Sequence, residues 1–363
     1  MKKMLIWFIG SLILMFVLLL GISGRTVEVD TNIMVEGLDN ETAQILYYGS
    51  LAPSSHNAQM WKTDVYPDEG KIVISLDESR ALPAVDPLKR EMYISMGAYA
   101  RSCILAFEAY GYNASYHVSD NGQTVTINYK KNGNAVDEGL IALMKRRHTD
   151  KRDYTDSPIP ELFQEGLHGI HGTTFYSKHS DEYEAIKKET LAAAADQQNN
   201  QSIRDELADW LRFSNGEVTS KKDGISADQM GMSGFKKALY YLFVSRESAK
   251  GDKFAQQGYD MAVSQTENCG GFIVIADNDT PRDYVNAGMR LMELWLYAVR
   301  NNVEMQPMSY AVENPERRIA LQKSLKLITP PQMILRVGFV DSVYGENIPV
   351  RRDLKDYITV TRK

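Results

Sequence analysis

Hydrophobic and polar positions change pattern several times along this chain. Lys2 and Lys3 precede a run from Met4 to Ile22 that holds no charged residue. As a helix this run would measure about 28 Å, close to the bilayer's hydrocarbon thickness of about 30 Å. It is longer than the apolar region of a cleaved signal, and Ile22-Ser23-Gly24 is a poor cleavage site, so the pattern predicts an uncleaved membrane anchor. The two lysines favour a cytoplasmic N-terminus, which places the body outside the membrane. Asp30 to Glu41 is a polar lead-in.

Beyond that point the periods are those of a folded body. Tyr93 to Asn113 and Tyr284 to Glu304 carry apolar residues at three- and four-residue spacing and predict two helices with broad buried faces. The two segments also match each other. Each has a Tyr, then a Gly four positions on (Gly97, Gly288), then a Leu eight further (Leu105, Leu296). A Gly at matched positions allows two helices to approach closely at the centre of a dimer-like core. Asp64 to Tyr66 and Lys71 to Asp77 alternate as a hairpin, and Gly122 to Lys130 predicts another strand. Asp181 to Arg212 reads as helix, whereas Phe272 to Ala276 and Met333 to Phe339 read as buried strands. Helices interleaved with strands of hairpin-like alternation predict an α+β fold.

Composition narrows the function classes. The 363 residues are 44% hydrophobic and 24% charged, which suits a folded, enzyme-sized chain. A net charge of -6 excludes the basic footprint that nucleic-acid binding demands. Cys103 and Cys269 both sit in apolar stretches and read as buried thiols; two cysteines make neither a metal cluster nor a disulfide framework, and no metal site is expected.

Two segments carry the candidate chemistry. Ala52 opens APSSHNAQMW, which on turn propensity alone reads as the loop after a helix. Arg146 opens RRHTDKRDY, which alone reads as a solvated charged turn. Together they resemble the two halves of the flavin signature of the FMN-dependent nitroreductase family. That family has an Arg-rich turn and a Pro-Ser-x-x-Asn-x-Gln-Pro-Trp loop in the opposite order. Its flavin lies at a homodimer interface and takes one element from each subunit. Loop first and turn second resembles the double-length, fused-dimer branch. Met60 stands where the family has Pro, and His148-Thr149-Asp150-Lys151-Arg152 stands where it usually has Arg-Ser-x-Arg, so the choice of phosphate ligand stays open.

The resemblance implies a nitroreductase-like mixed sheet flanked by helices, in two repeated halves that form a monomeric pseudo-dimer. Its boundaries are an anchor over 1–24, a linker over 25–41, and halves over 42–140 and 141–363. It also implies an FMN site. FMN presents a dianionic phosphate, a hydroxylated chain and a flat ring with polar edges, which call for fixed cations and small polar side chains. The implied contacts are Pro53, Ser54, Ser55, Asn57 and Gln59 on the loop. Arg146, Arg147, Thr149 and Arg152 lie on the turn. Met308 and Ser309 belong to a loop near the reactive N5 edge, and Arg351 and Arg352 to a basic tail returning to the phosphate, though a surface pair is the plain alternative there. His56 reads as a satisfied loop histidine. No Arg-rich turn precedes the first loop, and Asn113 to Tyr116 does not repeat Pro307-Met308-Ser309-Tyr310, so one FMN per chain is expected.

The implied activity is flavin-dependent oxidoreduction, with flavin N5 carrying the chemistry and no catalytic side chain. NAD(P)H, or another donor for an extracytoplasmic body, reduces it, and a nitroaromatic or quinone reoxidises it. Two alternatives remain: an FMN-storage protein lidded by the Gly- and Met-rich stretch from Asp223 to Phe235, and a membrane protein that keeps the fold without the cofactor.

Overall fold

The computed structural model describes residues 21–341 and 349–363. Most of the predicted anchor therefore lies outside the described residues. Among those described, no helix is long and apolar enough to cross a membrane.

Two sheets carry the body. The first takes β1 (Trp61–Tyr66), β2 (Lys71–Leu76), β3 (Tyr112–Val118), β4 (Thr124–Lys131) and β9 (Ile358–Val360), in the order β3-β4-β2-β1-β9. The second takes β5 (Thr173–Ser177), β6 (Gly271–Ala276), β7 (Glu304–Pro307) and β8 (Pro331–Gly338), in the order β5-β6-β8-β7. All pairings are antiparallel except β1 with β9, so the first sheet is mixed and its last strand comes from the C-terminus. The longer helices are α1 (Asn40–Ser50), α2 (Arg90–Ala109), α3 (Glu138–Arg146), α4 (Asp181–Gln198) and α5 (Gln201–Trp210). They continue as α6 (Gly234–Phe243), α7 (Asp252–Glu267), α8 (Pro281–Arg300) and α9 (Pro315–Ser324). The interleaving makes an α+β fold, as the pattern predicts.

Burial explains which strands were legible. β2 alternates half-buried and buried positions, the two-residue period of a strand with one face in the core. β8 is buried at every position because β6 and β7 flank it and helices cover it. The unpredicted strands β3, β5, β7 and β9 all lie at sheet edges, where half the backbone is unpaired and the side chains show little periodicity. The helix expected through Asn113 stops at Ala109, because Gly111 turns the chain at φ +75° into β3. The helix expected from Asp181 to Arg212 breaks in two at Asn200, whose side chain accepts from the Ser202 and Ile203 amides and caps α5.

At the centre α2 and α8 cross at their matched glycines. A methyl group on Gly97 would strike the Val285 carbonyl, and one on Gly288 would strike the Ile94 carbonyl. The contact is reciprocal, since Val285 precedes Gly288 by the same interval as Ile94 precedes Gly97. One core cluster runs through this crossing and into both sheets, with Trp61 stacked on Tyr99 at 4.4 Å on the first-sheet side. Cys103 and Cys269 are both buried and unbridged.

Candidate functional site

The site begins at the C-terminal end of α1. Helix ends leave carbonyls without partners, and here two buried guanidinium groups take them. Arg351 donates to the carbonyls of Ser50 (2.5 Å), Leu51 (3.1 Å) and Ala52 (3.2 Å). Arg147 donates to Leu51 O through Nε (3.1 Å) and Nη2 (2.8 Å) and lies over the Trp295 ring.

The loop that follows is strained and stapled. His56, Asn57 and Gln59 have φ of 50°, 51° and 53°, a left-handed region costing of order 1 kcal/mol or more for a residue with a side chain. The Ser54 hydroxyl accepts from the Gln59 amide at 3.0 Å. Asn57 Nδ2 donates to Gly224 O (3.1 Å) and Val350 O (3.2 Å), and its Oδ1 accepts from Arg351 Nη1 (3.1 Å). Asn57 thus ties the loop to the 223–233 stretch and to the C-terminal tail.

These elements wall a cavity of about 680 Å³, within the usual span for cofactor sites of roughly 300–1,000 Å³. Of the residues implicated by the sequence, Pro53, Ser54, Ser55, Asn57, Arg147, Thr149, Arg152, Ser309 and Arg351 line it. Four do not. Arg146 reaches outward to Asn302 Oδ1 (2.8 Å) as the last residue of α3. Gln59 is buried behind the loop, accepting from the Arg352 amide (2.9 Å) and donating to Lys222 O (3.0 Å). Arg352 donates to Gln59 O and Asp356 O and lies near Asp77, so it clamps the tail and is neither a cavity residue nor an exposed surface arginine. Met308 is fully buried in the second core cluster, its amide committed to Ile334 O in β8.

The cavity's electrostatics favour an anion. Burial pulls the Arg147 guanidinium down to about 9, with Arg351 beside it adding to the shift, and it pulls Arg351 down to about 10. Lys151, which the sequence reading left unassigned, also lines the cavity; burial, with Arg336 nearby, lowers its ammonium to about 8. Depressed cations of this kind gain when an anion enters. By contrast Arg152 is half-buried and engages the buried Asp150 carboxylate at 2.5 Å. Burial would raise Asp150, yet hydrogen bonds from His148 and Arg152 hold it well below the ordinary carboxylate range.

Two unpredicted residues hold this segment in place. Trp295 of α8 donates Nε1 to His148 O at 3.1 Å. Arg336, buried in β8, donates to Arg152 O (2.6 Å), Asp150 O (3.3 Å) and Gln306 Oε1 (2.7 Å). A lone arginine inside an otherwise apolar strand was the sequence signal for it. Across the cavity, burial and then Glu91 push the Glu313 carboxyl well above its usual value, although Gln197 donates to it at 2.5 Å. His56 also lines the cavity, and burial pulls its imidazole down to about 4.

The roof comes from two places. Ser226, Asp228, Gln229 and Met232 of the predicted lid line the cavity, as do Thr26 and Val27 just after the predicted anchor. The lid is fixed at its start, where Asp223 accepts from Arg212 (2.5 Å) and also pairs with Arg80.

Sequence comparison finds similar proteins. The chain is 23% identical over 309 residues to "Probable NAD(P)H nitroreductase PigM" of Serratia sp., covering 79% of this chain and 85% of that one. The chain is thus similar in sequence to a protein named as a probable nitroreductase. "Putative NAD(P)H nitroreductase MT3217" of Mycobacterium tuberculosis is 30% identical over 128 residues, 34% of this chain and 37% of its own length. Among solved structures, the FMN-dependent nitroreductase NfnB of Mycobacterium smegmatis, in complex with NADPH, aligns at a TM-score of 0.41 and 15% identity over 62% of this chain and 99% of that chain. No protein-family model matches the chain.

Proposed function

We propose that this nitroreductase relative is a membrane-anchored FMN oxidoreductase holding one FMN per chain. The observation that carries the reading is the convergence of Arg147, Arg351 and Lys151, three burial-depressed cations, on one cavity beside the Pro53–Asn57 loop. The residues fit FMN: Arg147 and Lys151 suit its phosphate, Arg351 adds positive charge while its own N–H groups hold Ser50, Leu51, Ala52, Asn57 and Val350, and Ser54, Ser55 and Thr149 suit the hydroxylated chain. Bound FMN supplies a hydride-accepting centre at N5. The chain's residues bind and orient it, and the roof from the lid and from Thr26-Val27 excludes water. NAD(P)H, or a membrane quinol for a body outside the membrane, is the donor; a nitroaromatic or quinone is the acceptor. The reciprocal Gly97–Gly288 crossing supports two pseudo-symmetric halves in a monomeric chain.

Lys151 gives this reading a pH signature. Its charged form binds FMN, and its pKa of about 8 in the free protein means that form is lost as pH rises through that value. FMN affinity, followed by flavin fluorescence, is expected to fall between pH 7 and pH 9.5, less steeply if bound phosphate raises the pKa. The part of the fall centred near pH 8 should be lost in Lys151→Met, leaving the part that follows Arg147, depressed to about 9; an unchanged profile in the variant would remove Lys151 from the site.

A second reading, FMN storage, is favoured by the roof alone. A storage protein would be yellow yet would not bleach with NAD(P)H.

The anchor has its own test. Full-length chain is expected to pellet with membranes through alkaline extraction, because a long uncharged apolar segment gains far more from hydrocarbon than surface charge supplies. A chain beginning at Gly21 is expected in the supernatant, still binding FMN; beginning at Thr31 would remove Thr26 and Val27 from the cavity wall. Release of full-length chain by alkali contradicts the anchor. Protease added outside intact cells should digest the body, and protection would overturn the outside placement.

A further inference from the structure

Helix α6 is apolar on both sides. Its inward side carries Lys237, Ala238 and Tyr240, all buried, whereas Phe235 is 66%, Leu242 48% and Phe243 73% exposed. With half-buried Leu239 these residues fall at i, i+4, i+7 and i+8, one continuous stripe of the helix. A surface helix in water keeps its outer face polar, and clustered exposed apolar side chains mark a contact surface.

The chain's own path says what covers this stripe. The Lys237 ammonium, with no exposed surface, pairs with Asp228 at 2.6 Å and donates to the Arg25 carbonyl at 2.9 Å. One residue earlier the Gly24 carbonyl accepts from the Gly234 amide at 3.1 Å, an approach so close that a methyl on Gly24 would overlap the Gly234 backbone. Asn215 adds a further hydrogen bond to Ser23 O at 3.5 Å. The end of the uncharged 4–22 run is therefore pinned to the first turn of α6, and Ile22 beside it is itself 57% exposed.

We propose that α6 lies in the bilayer interface, with Phe235, Leu242 and Phe243 at the acyl boundary and exposed Lys236 reaching the headgroups. The partner is the lipid surface. The inference rests on the reading that residues 4–22 span the membrane, since the pinned exit then brings this face to that surface.

The test uses full-length chain in vesicles of phosphatidylcholine and phosphatidylglycerol. Because Cys103 and Cys269 are buried, a nitroxide can be attached selectively at Leu242→Cys, and in separate variants at Phe235→Cys, at Ile13→Cys within the anchor, and at the 98%-exposed Ile328→Cys. Relaxation by lipid-soluble oxygen is compared with relaxation by a water-soluble nickel chelate. Labels at 242 and 235 are expected to respond more to oxygen than to nickel, the reverse of the label at 328. A nickel-dominated response at 242 and 235, with oxygen dominating at 13, overturns the docking while leaving the anchor intact. Nickel dominance at 13 as well overturns the anchor reading and this inference with it. Shielding at 242 from both reagents, with spin–spin broadening, assigns the face to a second copy of the chain and overturns the lipid assignment.

Discussion

Arg147→Ala is expected to weaken FMN binding by about 10- to 150-fold, with Arg146→Ala unchanged within twofold. A hydrogen bond to a charged group contributes about 1.5–3 kcal/mol, and Arg147 lines the cavity with its cost of burial already met in the free protein. Arg146 has the same charge one residue earlier but spends it on Asn302 outside the cavity. Titration of the apoprotein with FMN, followed by quenching of flavin fluorescence, separates the two. Some of the loss in Arg147→Ala comes through Leu51 O, which loses two hydrogen bonds from Arg147 while keeping the one from Arg351. Arg147→Lys restores charge without the fork and is expected to recover part of the affinity. Equal affinity in Arg147→Ala and wild type would place the phosphate elsewhere.

Gly97→Ala is expected to cost about 3 kcal/mol of stability. The added methyl meets the backbone carbonyl of Val285, which moves only if α2 and α8 separate, and overpacking of a dense core typically costs about 1–3 kcal/mol, sometimes more. Gly288→Ala should cost a similar amount through Ile94. The double variant should cost less than the sum, because one separation of the helices relieves both clashes. Gly258→Ala, where a methyl meets open space inside α7, should instead raise stability by up to about 1 kcal/mol. Denaturant midpoints measure all four. A neutral Gly97→Ala would contradict the close crossing.

Much of this was legible in the sequence for identifiable reasons. Strands with a buried face, such as β2, wrote their two-residue period into the letters, and fully buried ones, such as β8, a near-continuous apolar run. Edge strands β3, β5, β7 and β9 did not, because edges bury too little to demand alternation. The loop and the Arg-rich turn were recognisable as short motifs, and the fold brings both to one cavity. Motif letters, however, do not say where a side chain points. Arg146 and Arg147 are adjacent in sequence, and only the end of α3 decides that one faces out and the other in. Arg351 and Arg352 part in the same way, one toward the cavity and one behind the loop. Lys151 stands inside a charged run, and the letters do not reveal that it is half-buried against the cavity. The roof from Thr26 and Val27 was invisible for another reason, since a polar linker carries no sign of the surface it crosses.

The central claim is that this cavity holds a flavin that turns over. Full-length chain purified with excess FMN, freed of unbound cofactor and titrated anaerobically with NADPH, tests it most directly. The account predicts one FMN per chain, with visible flavin absorbance bleaching on NADPH and returning on addition of a quinone. For a body whose natural donor is a membrane quinol, a reduced quinone should bleach it where NADPH is slow. A colourless protein after loading with FMN, or a yellow one that neither donor bleaches, would contradict it.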